Sequence, residues 1–498
     1  MDGQIYFHDF GKAAFGTVEV ELAGTAGTVV EIAIGEAAVD GRLNRFPGGF
    51  CCFKCGKITL TSPRQWYKFE IPPHRAPRYT KFSIPSPWQD EVAPFRYLEV
   101  TGDCQVCNVK RHELFPRWDD DAGTFHSSCE SLNRIWDFCK YSIKATAGFG
   151  VFIDGERERC PYEGDTYINQ LGWFCCSRDR GIPRQTLEFF RDNATWPIEW
   201  SLLMPVIVRD YVLYSGDEAV VPEFFPVLKA RLLDELENED GLVGSGEFYK
   251  ELIDWPMTER DGYESAGTSL VPNCVRYMAL KCMAELYGER AFADKAQVLK
   301  SVIRQKMYRD GKFVDSPESN HTAQHSVFFP VATGIAAPEE MPELEKLDIR
   351  CSVYAVQFLF DALYQGRFGD RAQELLCSSG KRSWLNMLDA GATITMEAWD
   401  MALKTNSDWN HAWGAAPANI IPRHLCGVRP VKPGFREFVF DPQPGGVRYF
   451  QSVHPTPDGE ICVEFEDGKF SVKMPGNCRA FCGGKCFTGE FSGTIGEK

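Results

Sequence analysis

Residues 154–165 read DGERERCPYEGD, and the organisation of the chain is decided on this stretch. Five of its twelve residues are carboxylates: Asp154, Glu156, Glu158, Glu163 and Asp165. Arg157 and Arg159 sit among them, and Gly155, Pro161 and Gly164 argue against regular structure through the middle. A helical pattern precedes it and another, TYINQLGWFCCSRD, follows. The stretch is therefore expected to be a carboxylate-rich loop between two helices, the kind of place where a rigid scaffold holds catalytic groups. A charge run alone is more often a solvated face. Here Phe152, Ile153, Tyr162 and Trp173 crowd the acids, and a second run of acids and aromatics lies late in the chain.

Outward on the N-terminal side, SSCESLNRIWDFCKYSIKA places Leu132, Ile135, Trp136, Cys139 and Ile143 on one helical face. Ser127 and Glu130 have the spacing of a capping box. Further helical patterns fall near 167–179, 184–192, 197–214, 223–237, 268–287, 291–309, 350–366, 369–379 and 409–425. Many helices joined by loops of uneven length suit paired hairpins better than a four-helix bundle. Before this region, TVEVEL, TVVEIAI, KITLT and RYLEVTG alternate or run apolar as strands do. After Gly427, FREFVFDP and GEICVEFEDGKFSVKM alternate around turn residues, with EDGK as a hairpin signal. The expected order is an N-terminal β-sandwich over 1–122, a helical domain over 123–427 and a small antiparallel β-domain over 428–498.

The 498 residues are too many for one core. A formal net charge of -15 without basic runs makes nucleic acid and anionic membranes poor partners. No apolar run is long enough to span a bilayer, and the N-terminus lacks the pattern of a signal peptide. The 19 cysteines then fit reduced thiols in a cytoplasmic protein. Cys52 with Cys55 and Cys104 with Cys107 form two CxxC pairs, but they lie farther apart than the pairs of compact zinc modules. No metal or other cofactor is expected. A homodimer is compatible with the sequence.

The second acid run, beginning at Gly391, reads GATITMEAWDMALKTNSDWNHAWGAAPANIIP. Glu397 lies between Met396 and Ala398, with Trp399, Trp409, His411 and Trp413 close by. Burial favours the protonated form of a carboxyl and can poise it for acid–base work. A third stretch, IDWPMTERDGYE, adds Asp254, Trp255, Glu259 and Asp261. Aromatic rings beside polar groups suit sugars, and two carboxylates flanking a bond between sugars are what glycoside hydrolysis needs. Competing chemistries lack their motifs: no GxSxG, no GxxxxGK[ST] and no HExxH is present. His321 and His325, in HTAQH, have two-ligand spacing but no catalytic glutamate beside them.

These blocks resemble the bacterial α-L-rhamnosidases of glycoside hydrolase family 78. The resemblance rests on FHDFGKAAFGTVEVEL, DGERERCPYEGDTYINQ, TWPIEW, IDWPMTERDGY, TITMEAWD and DWNHAWGAAPANIIPR, in the family's order. It implies an (α/α)6 toroid flanked by β-domains and an inverting, exo-acting hydrolase that releases terminal α-L-rhamnose. It implies Glu158 as general acid and Glu397 as general base. Asp154, Arg157, Tyr162, Asp165, Asp254, Trp255, Trp399, His411 and Trp413 are implied to contact a small glycoside. The chain departs from the family's acid motif in having Tyr162 where Trp is common and one residue fewer between arginine and glutamate.

Overall fold

Two kinds of helix build the centre of the molecule. Every residue of α2 (Glu163–Cys176) is buried, and α4 (Ile198–Ser215) is buried nearly all round. By contrast α3 (Gly181–Asp192) buries Ile182, Thr186, Leu187 and Phe190, and α7 (Arg290–Met307) buries Ala296, Leu299, Ile303 and Met307. A helix apolar all round must lie inside, and one with a single apolar stripe must lie outside. The other helices are α1 (Glu130–Thr146), α5 (Val220–Ala230), α6 (Leu270–Tyr287), α8 (Gln324–Thr333), α9 (Val356–Gln365), α10 (Gly369–Leu376), α11 (Trp384–Asp389) and α12 (Pro417–Ile420). α12 continues as a π-turn over Ile421–Leu425. In this computed structural model, which describes residues 4–74 and 90–495, the contacts close a ring. α2 packs on α4, α4 on α6, α6 on α8, α8 on α9, α9 on α12, and α12 back on α2. α1, α3, α5, α7 and α10 cover this ring from outside. The result is the double-walled helical toroid expected from the sequence.

The N-terminal region is one six-stranded antiparallel sheet folded over on itself. Its strand Gln4–Ala23 pairs with Ala93–Gly102 through its first part, shifts register between Asp9 and Ala14, and then runs between Arg64–Lys68 and Gln105–Glu113. The fold-over brings Val18, Val20 and Leu22 against Ile32, Ile34, Leu98 and Val100 in one buried core. Arg64–Lys68 and Gln105–Glu113 are not legible as strands, because neither has a run of fully buried apolar residues at alternate positions. At the C-terminal end a five-stranded sheet, which Thr124–Ser127 joins, packs through Phe470 and Phe491 on Phe440 of a four-stranded sheet. In the latter Glu437–Phe440 and Arg479–Cys482 run parallel, where an antiparallel domain was expected. The hairpin predicted at EDGK forms, with Asp467 and Gly468 at φ 45° and 87° and strands Gly459–Glu466 and Lys469–Lys473 on either side.

Two local expectations give way to other arrangements. Ser127 does not cap α1. It ends a strand, Thr124–Ser127, that pairs with Tyr449–Thr456, and its backbone and hydroxyl bond Asn133 and Cys129 instead. Helix α2 begins at Glu163 rather than near 167, so the acidic loop ends inside the first helical turn. Among the described residues the two CxxC pairs do not gather into a metal-binding cluster. Cys52 is instead packed in the N-terminal core, and Cys55 is exposed on its strand.

Candidate active site

The loop before α2 is held by its own backbone. Asp154 N bonds Cys160 O at 3.0 Å, Arg159 N bonds Gly155 O at 3.0 Å, and Cys160 N donates to Asp154 Oδ1 at 2.8 Å. Two glycines permit close approach. A Cβ on Gly164 would sit 2.6 Å from the indole of Trp200, and one on Gly155 would sit 2.9 Å from Asp408 Oδ2. The acidic loop is thus pressed against α4 on one side and against the 406–411 loop on the other.

Those elements enclose a cavity of about 120 Å3 lined by Asp154, Arg157, Glu158, Tyr162, Asp165, Trp196, Trp200, Leu252, Trp255, Glu397, His411 and Trp413. A larger hollow of about 560 Å3 lies along the 367–370 and 442–448 segments, away from both glutamates. Glu158 and Glu397 face each other across a single guanidinium. Arg157 Nη1 donates to Glu158 Oε1 at 3.2 Å, and its Nη2 donates to Glu397 Oε1 at 2.6 Å. Glu397 also accepts from Asp408 N at 3.1 Å and lies 3.0 Å from Lys404 Nζ. Its side chain is only 2% exposed, against 25% for Glu158, which accepts a second bond from the Tyr162 hydroxyl. Burial, with Asp154 and Glu158 nearby, raises the Tyr162 phenol and keeps it a donor.

Around this pair sit acids that cannot all ionise. Burial first, and then the charge of Glu158, pushes Asp154 well above the ordinary carboxylate range. Burial, then Asp154 and Glu397, does the same to Asp165. Asp408 is raised by burial and then by Glu397 and Asp154. His411 is driven well below its usual value by burial and by the cations of Arg157 and Lys404, so it is neutral. Asp154 Oδ2, Asp408 Oδ1 and Trp200 Nε1 are buried without a hydrogen-bond partner, while His411 Nδ1 and Asp165 Oδ1 face each other at 3.4 Å. Buried orphan atoms at this density are rare in a native fold. Here they suit a polyhydroxylated guest whose hydroxyls both donate and accept. Asp154, Asp408 and His411 also bring ligand atoms within 4.8 Å of one another. The Arg157 guanidinium lies beside them, 3.9 Å from Asp408 Oδ2, and already supplies positive charge there.

Seven of the nine residues expected to contact a sugar line the cavity, and Trp399 and Asp254 do not. The Trp399 ring is fully buried, edge-on to Trp384 of α11 at 4.9 Å, and its Nε1 donates to Cys351 O at 2.8 Å. Asp254 is also fully buried, and its oxygens are taken by His325 Nε2 at 2.8 Å, Ser352 N at 2.8 Å, the Ser352 hydroxyl and Trp255 N. It anchors the loop that carries Trp255 instead of reaching the cavity. His325, half of the HTAQH spacing, is spent on that anchor, and His321 Nδ1 meets Asp315 at 2.6 Å. The sequence reading missed Trp196, Trp200, Leu252 and Asp408. The signal was present for the first two, since TWPIEW is an aromatic block at the head of α4.

The family model of the bacterial alpha-L-rhamnosidase six-hairpin glycosidase domain matches residues 120–425, and that of the bacterial alpha-L-rhamnosidase C-terminal domain matches residues 427–481. An alpha-L-rhamnosidase of Alteromonas sp. (strain LOR) is 24% identical over 78% of this chain and 48% of its own length. The crystal structure of an alpha-L-rhamnosidase from Aspergillus terreus superposes with a TM-score of 0.78 at 16% identity, covering 99% of this chain and 63% of that one. One from Streptomyces avermitilis, complexed with L-rhamnose, gives 0.76 at 16%, covering 96% and 48%. The chain spans about half the length of the curated relatives it matches. With the helical toroid and the domain behind it both matched, the chain belongs to the bacterial alpha-L-rhamnosidase family of six-hairpin glycosidases.

Proposed function

We propose that the chain is an inverting, exo-acting glycoside hydrolase that releases terminal α-L-rhamnose, with Glu158 as general acid and Glu397 as general base. The observation that carries the reading is the cavity itself. Two glutamates share it across one guanidinium, unpaired buried polar atoms line it, and Trp196, Trp200, Trp255 and Trp413 form its apolar sides. The more exposed glutamate, Glu158, is placed to meet a leaving-group oxygen at the mouth. The carboxylate of the buried one, Glu397, accepts every hydrogen bond it makes, as a base that draws a proton from water must. The small cavity suits one terminal ring, and the apolar sides suit the methyl group that distinguishes rhamnose from most hexoses. Family membership and the rhamnose complex of the Streptomyces relative favour this sugar over others.

A panel of p-nitrophenyl glycosides tests the reading. Release from the α-L-rhamnoside should far exceed release from α-L-arabinoside, α-D-mannoside and β-D-glucoside. Preference for another sugar would move the substrate assignment while keeping the hydrolase. No release from any of them would remove the hydrolase assignment.

A further inference from the structure

The acidic loop is held partly from outside the helical domain. Glu36, directly after the strand Val29–Gly35, is 3% exposed and accepts from Cys52 N at 2.7 Å. Its carboxyl oxygens also accept from Asn410 Nδ2 at 3.1 and 3.2 Å. Asn410 is fully buried, and its Oδ1 accepts from Glu156 N at 2.7 Å. One side chain thereby joins three segments: the N-terminal sheet, the acidic loop and the loop whose Asp408 backbone holds Glu397. Phe50 N reinforces the junction by donating to Ser407 O at 3.1 Å.

We propose that Glu36 is a positioning residue: through the Asn410 amide, the N-terminal β-domain holds the Glu158 loop in register with the Glu397 loop. The amide has two orientations of nearly equal shape. With an acceptor at Glu36, only one orientation pairs both ends. Turned over, Asn410 would set its NH2 against the Glu156 N–H, donor against donor, and its oxygen against the Glu36 carboxyl. Without Glu36 that constraint is gone, and the Glu156 N–H loses its fixed partner. Gly155 permits the close approach of the loop to Asn410: a Cβ on it would lie 3.1 Å from Asn410 O and 3.2 Å from its Oδ1. Glu156 is two residues from Glu158, so a shift there moves the acid. Misplacement of a catalytic group by about 1 Å costs on the order of a hundred-fold.

The inference rests on the hydrolase reading for its consequence in turnover, but not for its structural claim. The experiment therefore has two arms on the full chain. Hydrogen exchange of the 154–160 amides should rise in Glu36→Ala and in Asn410→Ala. Glu36→Gln, which keeps an acceptor for Asn410, should stay near wild type. On p-nitrophenyl α-L-rhamnoside the two alanine variants should each lose roughly ten- to a hundred-fold in kcat with a smaller change in KM. The double variant should be no worse than either single one. Tyr141→Phe removes a different bond between these domains, from Tyr141 Oη to Ala13 O at 2.7 Å, and should change neither readout. If an alanine variant does not fold, Asn410→Ser takes its place, because its short hydroxyl cannot bridge Glu156 N and the Glu36 carboxyl. Unchanged exchange over 154–160, or multiplied losses in the double variant, would overturn the proposal. A wild type without glycosidase activity would defeat the functional reading, and the exchange arm would still decide this one.

Discussion

Glu158 and Glu397 are the same residue type in opposite settings, and the roles proposed for them follow those settings. Glu158 meets Tyr162 and Arg157 at the mouth, whereas Glu397 is enclosed by Arg157, Lys404 and a backbone N–H. Glu158→Gln keeps the shape but cannot donate a proton. It should lower turnover of an alkyl or sugar glycoside by about a hundred- to ten-thousand-fold, and that of a p-nitrophenyl glycoside less, because that leaving group needs little protonation. Equal losses on both substrates would argue against the acid role. For Glu397 the test is stereochemical: NMR of the first-formed sugar should show the anomer opposite to that of the substrate, as inversion requires. Gly164→Ala puts a methyl group 2.6 Å from the Trp200 indole and should lower kcat/KM by displacing that wall, with a Tm loss of a few degrees. At this scale the sequence was legible where a residue's chemistry is rare and opaque where it is common. Glu397 stood out as a carboxylate among aromatics. Trp399, two residues on, had the same neighbours in sequence but faces Trp384 and the core, and no spacing rule distinguishes the two outside a regular element.

The elements show how the cavity keeps its walls. Glu199, in the first turn of α4, is buried, and its carboxylate accepts from Leu252 N at 3.1 Å and Ile253 N at 2.8 Å. From the other side Asp254 ties the same loop to α8 through His325. Trp255 therefore stands on a segment clamped between two inner helices. Trp255→Ala should raise KM while leaving the melting temperature close to wild type, since the ring is only partly buried. Glu199→Ala should do more, because it strands two buried N–H groups at about 1–3 kcal/mol each. It should lower Tm and raise KM together, and a KM change without the Tm change would mean that the loop is held otherwise. The inner helices were read correctly from period alone where they are long, as in α4 and α6. α8 was missed because Pro330, a helix breaker, stands inside its ten residues, and α11 because six residues make fewer than two turns.

The whole molecule carries a consequence of concentrating buried acids at one site. Burial holds Glu199 up at about 7 and Glu36 up at about 8, and raises Asp154, Asp165 and Asp408 well above their ordinary values. An acid whose pKa is raised on folding contributes stability below its unfolded value and loses it as pH climbs through its folded value. The buried histidines act oppositely. His424 and His454 are lowered by burial to about 4 and about 3, and His411 is also lowered, so their penalty is felt only below the unfolded histidine value near 6.5. Between about pH 4.5 and 6.5 the two sets oppose each other. From about 6.5 to 8 the acids act alone among these groups, the folded state binds more protons than the unfolded one, and stability must fall. The unliganded protein should therefore lose several degrees of Tm between pH 6.5 and pH 8, measured by scanning calorimetry at constant ionic strength. Glu36→Gln removes one of those protons from the balance and should flatten the slope. A Tm that holds or rises over this window would mean that the buried acids are ionised in the folded state, with the cations of Arg157, Lys404 and Arg159 outweighing the cost of their burial.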